Sequence, residues 1–288
     1  MVTSERLAPG LLERVLDALG LSRAPSTDLA GLRAIYAAWC RNVPFDNVRK
    51  RIHMGSRAAG ALPGDTAEDF FDAWLKFRSG GTCWAGNGAL CTLLAAVGFD
   101  ARRGIGTMLA RPDALPNHGT VLVELEGRTY VVDASILHRE PLLLSEQEIT
   151  AVEHPAWGVR CVRREGLWHI HWRPLHAPGG IECRIDRLAA TRAEFRERHD
   201  QTRDWSPFNY EVHARLIRSE AIVGVARGQR VAFDASGGVD QRRLSEDARK
   251  RVLIDELGIS EEIVERLPPD TPTPPPPWSR TAQRLVTE

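Results

Sequence analysis

The sequence predicts an α+β protein, and three observations carry that expectation. Up to residue 98 the apolar residues recur at helical spacing. After Gly98 the period changes to two, in paired runs that flank two-residue turns ending in glycine. Beyond residue 204 the two patterns follow one another. The 288 residues suffice for two or three modest cores. Hydrophobic content of 43% with 26% charged residues is that of a soluble globular chain. Formal net charge is zero, with no basic stripe or acidic tail, so neither nucleic acid nor membrane is an expected partner. No apolar run approaches the roughly 18 residues of a membrane span. Residues 1–6 lack a signal-peptide pattern. The cysteines (Cys40, Cys83, Cys91, Cys161, Cys183) are odd in number and form no CxxC pair. That fits a reduced, cytoplasmic setting with at least one thiol free for chemistry.

Taken in order, Leu11, Leu12, Val15, Leu16 and Leu19 form one helical stripe, closed by Gly20. Ser26, Thr27 or Asp28 can cap a second helix bearing Leu29, Leu32, Ile35, Tyr36 and Trp39. Val43-Pro44 ends it, because the residue before proline avoids the α region. Phe45-Asp46-Asn47-Val48 reads as a turn, and His53 and Met54 fall in a less regular stretch. Ala67, Phe70, Phe71, Trp74 and Leu75 mark a third helix over residues 66–77.

Arg78-Ser79-Gly80-Gly81-Thr82-Cys83 follows, and Leu90, Leu93, Leu94 and Val97 then repeat at i, i+3, i+4, i+7 until Gly98. Cys83 therefore stands where a glycine turn becomes the first turn of a buried helix. Unpaired backbone N–H groups and the positive end of the helix dipole gather there, and both favour a thiolate. A lone cysteine on an apolar helix also reads as a small core residue, so partners decide.

Residues 120–125 and 128–133 flank Glu126-Gly127, a hairpin signal. A two-residue turn there pairs Thr120 with Asp133 and His118 with Ser135. His118 and Asp133 then share a face, diagonal to each other and within reach of an imidazole–carboxylate hydrogen bond. Cysteine at a helix N-terminus, histidine on a strand and aspartate on the next is the logic of a papain-like nucleophile with its base and orienter.

A second hairpin spans residues 159–173 across Glu165-Gly166, with Val159, Cys161, Trp168, Ile170 and Trp172 on one face. His169 and His171, on the other, could be half a metal site, but no further ligand accompanies them and no metal is expected. His138, His154, His176, His199 and His213 read as structural or exposed. Residues 184–203 are a charged segment, either a solvated helix or linker, and Trp205-Ser206-Pro207-Phe208-Asn209 punctuates the chain. A third hairpin turns at Arg227-Gly228, Ser245 caps a helix bearing Ala248, Val252, Leu253 and Leu257, and Ser260 starts a short one. From Pro268 the proline run excludes helix and central strand.

Gly80-Gly81-Thr82-Cys83 with Asn87 resembles the arylamine N-acetyltransferase signature, and His118 and Asp133 match that family's histidine and aspartate in type and spacing. Val43-Pro44-Phe45-Asp46-Asn47-Val48 resembles its Pro-Phe-Glu-Asn turn. The resemblance covers roughly residues 5–265. It implies a helical bundle (residues 1–98), a β-barrel (99–203) and an α/β lid (204–267), here followed by a proline-rich tail (268–288). It also implies ping-pong chemistry. Cys83 takes an acyl group from a thioester such as acetyl-CoA, a co-substrate rather than a resident cofactor, and passes it to a small-molecule amine. Phe45, Trp84, Thr120, Ile136 and Leu137 are the implied pocket residues, with Asp46, Arg78 and Asn87 as support.

The chain departs from the family pattern at defined places. Ser79 stands where the family has an arginine, Ala85 where it has an acidic residue and Asp46 where it has glutamate. The family's Asp-Val-Gly-Phe-Gly reads Asp133-Ala134-Ser135-Ile136-Leu137, which alters the residues bordering the acyl pocket and the CoA cleft. Such a member also suits an amide synthase of natural-product assembly, fed by an acyl carrier protein. A papain- or transglutaminase-like amidase shares the Cys-His-Asp order, and a non-catalytic binding module is the remaining reading.

Overall fold

The computed structural model describes residues 7–111, 114–277 and 279. Residues 1–6, read as free of a signal pattern, and the end of the tail at 278 and 280–288 lie outside the described residues.

The helical part contains α1 (Pro9–Ala18), α2 (Leu29–Asn42), the short strand β1 (Phe45–Asp46), α3 (Val48–Gly55), α4 (Ala67–Phe77) and α5 (Cys83–Val97). Its boundaries follow from capping. Asp28 Oδ1 accepts the Gly31 N–H at 2.8 Å, and Thr66 Oγ1 accepts that of Asp69 at 3.1 Å. Gly98 ends α5 at φ +114°, a conformation that favours glycine. Val15, Leu32, Ile35, Trp39, Phe70, Phe71, Leu90, Leu93 and Leu94 make one buried core. The irregular stretch expected around His53 and Met54 is instead α3. Its apolar stripe is short, Val48 and Ile52, because Lys50 and Arg51 share its inner face, only 4% and 2% exposed, with charged ends that find partners far along the chain.

The second part is an eight-stranded antiparallel sheet of β2 (Asp100–Met108), β3 (His118–Leu125), β4 (Arg128–Val132), β5 (Leu142–Leu143), β6 (Thr150–Val152), β7 (Val159–Arg164), β8 (Leu167–Trp172) and β9 (Ile181–Ala190). The order is β5-β4-β3-β2-β9-β8-β7-β6, and Thr150 Oγ1 donates to Leu143 O at 2.5 Å, tying the two edge strands into a nearly closed barrel. Both expected hairpins form in the expected register, with Val121 opposite Val132 and Cys161 opposite Ile170. Glu126 and Gly127 take φ +51° and +72°, the primed turn that matches strand twist. The charged segment 184–203 divides: its first part belongs to β9, a central strand, and its second is α6 (Arg192–Gln201), opened by a Thr191–Glu194 capping box.

The lid sheet runs β1-β10-β11-β12-β13, with β10 (Ala214–Arg218), β11 (Ala221–Ala226), β12 (Gln229–Phe233) and β13 (Val239–Arg243). Its first strand comes from the helical part, so the lid is stitched to the turn that precedes Cys83. Ser245 caps α7 (Glu246–Arg251), a π turn continues it to Glu256, and α8 (Glu261–Val264) closes the unit. The tail lies across this surface without helix or strand to residue 277. The Asp270 carboxylate there is bonded to Arg51 Nη1 at 2.5 Å and Arg249 Nη1 at 2.7 Å.

Candidate active site

Two glycines bring β1 and α5 together. A Cβ on Gly80 would lie 1.9 Å from Pro44 O, so no side chain fits there. Phe45 forms a parallel bridge with Gly81, and the buried Asp46 accepts from Ser79 Oγ at 2.9 Å and from Gly80 N at 2.6 Å. A serine–aspartate contact thus joins the two positions where the family pattern has arginine and glutamate. Arg78 does not take part: it ends α4 at φ +54°, is exposed, and its guanidinium lies 5.4 Å from the Trp74 ring. Ala85 is buried against two glycines: a Cβ on Gly81 would lie 2.9 Å from the Ala85 Cβ, and one on Gly64 2.5 Å from it.

Cys83 opens α5 and is 7% exposed. It packs with Trp84, Ile105 and Phe195, and its Sγ lies 4.0 Å from Asn117 O. Phe195 comes from α6 and meets Trp84 edge-on, with ring centroids 4.9 Å apart. The close approach requires Gly119, where a Cβ would lie 2.4 Å from Phe195. Sequence reasoning missed this cover over the cysteine; the Thr191–Glu194 capping box was its one legible signal.

His118 starts β3 and Asp133 follows β4. His118 Nε2 lies 2.7 Å from Asp133 Oδ2, with both side chains buried. The other carboxylate oxygen accepts the backbone N–H groups of Ser135 at 2.8 Å and Ile136 at 3.0 Å, and Asn87 Nδ2 at 3.3 Å. Asn87 also donates to Gly119 O at 2.6 Å and accepts the Ala134 N–H at 2.8 Å, locking α5 to both strands. Tyr36, read only as part of a core stripe, adds a further tie: its hydroxyl donates to Asp133 O at 2.9 Å and accepts the N–H groups of Asp133 and His138. Burial alone would raise the Asp133 carboxyl, but the adjacent His118 charge outweighs it and holds Asp133 well below the carboxylate range. Burial likewise pulls His118 down, and Asp133, followed by Cys83, more than reverses this, so the ring is held up as an imidazolium. Nε2 is engaged by Asp133, which leaves Nδ1 as the nitrogen for the thiol.

The implied pocket residues divide. Phe45 and Trp84 stay beside the turn and the cysteine, and Phe45 meets Phe208 at 5.4 Å between centroids. Thr120 is buried next to the aspartate. Ile136 packs into the barrel core, and Leu137, at φ +56°, into the helical core, so these two shape the turn behind Asp133. Lys50 was not singled out by sequence. Its ammonium donates to Thr202 Oγ1 at 2.7 Å, and burial pulls it down to about 7, opposed by Cys83. His169 bonds Glu182 at 3.2 Å and His171 is exposed; among the described residues no group of three or more potential ligands is arranged for a metal.

The arrangement is a buried cysteine on a helix N-terminus beside a histidine–aspartate pair on an adjoining barrel hairpin, the residue types that a cysteine nucleophile with base and orienter would use. Residues 28–173 match the family model described as N-acetyltransferase. The arylamine N-acetyltransferase of Mycolicibacterium smegmatis is 33% identical over 178 residues, 56% of this chain and 62% of that protein. That of Escherichia coli is 23% identical over 178 residues, 58% of this chain and 60% of its own. The match thus spans about six tenths of these relatives' length. In structure, the Mycobacterium marinum arylamine N-acetyltransferase in complex with CoA superposes at a TM-score of 0.75 with 21% identity, over 89% of this chain and 96% of that one. The Mycobacterium abscessus enzyme gives 0.74 and 19%, over 89% and 93%. The chain belongs to the arylamine N-acetyltransferase family, as a divergent member.

Proposed function

We propose that the protein is a thioester-dependent N-acyltransferase that carries an acetyl or related acyl group from CoA to an amine. The observation that carries the reading is the buried His118–Asp133 pair with Cys83 beside it at the head of α5. The Cys83 thiolate attacks the thioester carbonyl. The Cys–acyl bond forms, the carbonyl–sulfur bond of the donor breaks, and the departing CoA thiolate takes its proton from His118. The amine then attacks the acyl-cysteine, His118 accepts the proton it loses, and the amide leaves with Cys83 restored. Asp133 stabilises the imidazolium in both halves. The aromatic cover of Phe195 and Trp84 supports transfer over hydrolysis, because a dry cleft keeps water from the acyl-cysteine.

The test is an intact mass after incubation with acetyl-CoA, followed by addition of arylamines. One acetyl group should be gained by the wild type and none by Cys83→Ala, and amine should discharge it faster than buffer does. An adduct that survives Cys83→Ala would overturn the mechanism, and turnover of peptides with no thioester requirement would assign an amidase instead.

A further inference from the structure

Three buried side chains pack with Cys83, and they differ in what holds them. Trp84 follows the cysteine in α5, and Ile105 lies in β2, paired between β3 and β9. Both belong to the rigid centre of the molecule. Phe195 comes from α6, a polar helix in which it and His199 are the buried residues. Surface ion pairs help to hold this helix, as where Arg196 Nε donates to Asp65 Oδ1 at 2.9 Å. The Phe195 ring is seated over backbone: a Cβ on Gly119 would lie 2.4 Å from it and one on Gly88 3.8 Å. Gly119 follows His118, so the ring touches the strand that carries the base. An acyl group on Cys83 Sγ therefore meets Trp84, Ile105 and Phe195.

Room lies behind that ring. A cavity of about 350 Å³ opens one turn further along α6, with Leu62, Asp65, Arg196 and His199 in its wall. A smaller cavity of about 20 Å³ shares Asp65, Arg196 and His199 with it and extends to Trp84 and Phe195. That volume holds about one water, and its polar wall supplies the hydrogen bonds a water needs. Cys83 lines neither space, so the two aromatic rings separate its thiol from both. Of the two, Phe195 is the one whose helix can carry a different side chain without disturbing α5.

We infer that Phe195 is a specificity-determining residue for the acyl group: its ring limits Cys83 to a short acyl chain and bars water from the acyl-cysteine on the α6 side. The inference rests on the acyl-transfer reading above. Trimming the ring joins the smaller cavity to the site, so a longer chain gains room and water gains a path.

The rate of Cys83 acylation, followed by intact mass, is compared for acetyl-CoA and hexanoyl-CoA, and the acetyl-enzyme is then left in amine-free buffer. The wild type should favour acetyl-CoA by about tenfold or more, and Phe195→Ala should cut that ratio about tenfold. The same variant should hydrolyse its acetyl-cysteine about tenfold faster than the wild type. Phe195→Leu keeps a smaller apolar cover and carries the test if the alanine variant does not fold; it should move both readings the same way by about threefold. An unchanged ratio would overturn the size limit, even with both donors slowed together, and would leave Phe195 a packing residue. A wild type without preference for acetyl-CoA would overturn it too, and an unchanged hydrolysis rate would overturn the water barrier. Failure of wild-type Cys83 to acylate with either thioester would instead overturn the acyl-transfer reading.

Discussion

His118 Nε2 and Asp133 Oδ2 stand 2.7 Å apart, fifteen residues from each other in the chain, because the turn at Glu126-Gly127 sets the register of β3 and β4. The carboxylate has no freedom to leave, since two backbone N–H groups and Asn87 hold its other oxygen. Replacing it with an amide keeps the shape but removes the charge that stabilises the imidazolium. Asp133→Asn should lower kcat/KM for acyl transfer by about 10²–10⁴. Stopped-flow measurement of Cys83 acylation checks this, and a loss below threefold would mean that Asp133 does not serve His118 in the reaction.

Asp270 joins the tail to two arginines, of which Arg51 is 2% exposed and also donates to Pro268 O and Pro269 O. Removing the carboxylate leaves that guanidinium buried without its counter-ion. Asp270→Ala should cost about 3–5 kcal/mol, read from urea unfolding. The tail is thus part of the folded unit around α3.

Leu137 occupies a left-handed backbone conformation, φ +56°, with a side chain that is 0% exposed. Glycine there would relieve about 1–2 kcal/mol of backbone strain but would delete a core side chain worth about 2–5 kcal/mol. The packing loss outweighs the strain, so Leu137→Gly should destabilise by about 1–3 kcal/mol in the same unfolding experiment. A stabilised variant would show that the side chain contributes little to the core.

Stability should fall steeply in mild acid. Burial holds His138 and His199 at about 4 and His213 at about 3, against an ordinary 6.5. Below 6.5 the unfolded chain takes up protons that the native state refuses, withdrawing on the order of 3 kcal/mol per buried histidine by pH 4. The His118–Asp133 pair acts differently. His118, held up, contributes fully below 6.5 and loses its contribution as pH rises through its native value. Asp133, held down, contributes above 3.8 and loses its contribution as pH falls through its native value. Thermal melts should show Tm dropping sharply from pH 6 to 4.5; an unchanged Tm across that range would contradict the burial of these rings as neutral groups.

Much of the site was legible because it rests on local rules. The helical spacing after Cys83 and the glycine at its end put the cysteine at a helix N-terminus, and the two-residue hairpin puts His118 diagonal to Asp133; joining the cysteine to that pair took the logic of a cysteine nucleophile and the family resemblance. What stayed hidden depends on distant partners. α3 has only a short apolar stripe because Lys50 and Arg51 are buried through contacts with residues 152 and 217 or more positions away. β9 reads as solvated because Arg184, Asp186 and Arg187 interrupt its alternation, and its pairing with β2 passes through register shifts. Ser79 and Asp46 each looked like a loss, and only their contact at 2.9 Å shows that they answer each other.

The central claim is a covalent acyl-enzyme on Cys83, and release of CoA in the absence of amine tests it most directly. With acetyl-CoA alone the protein should release one equivalent of CoA thiol per chain and then stop, and added arylamine should restart release. No release until amine is added would contradict the account, because both substrates would then have to be bound before any bond is broken.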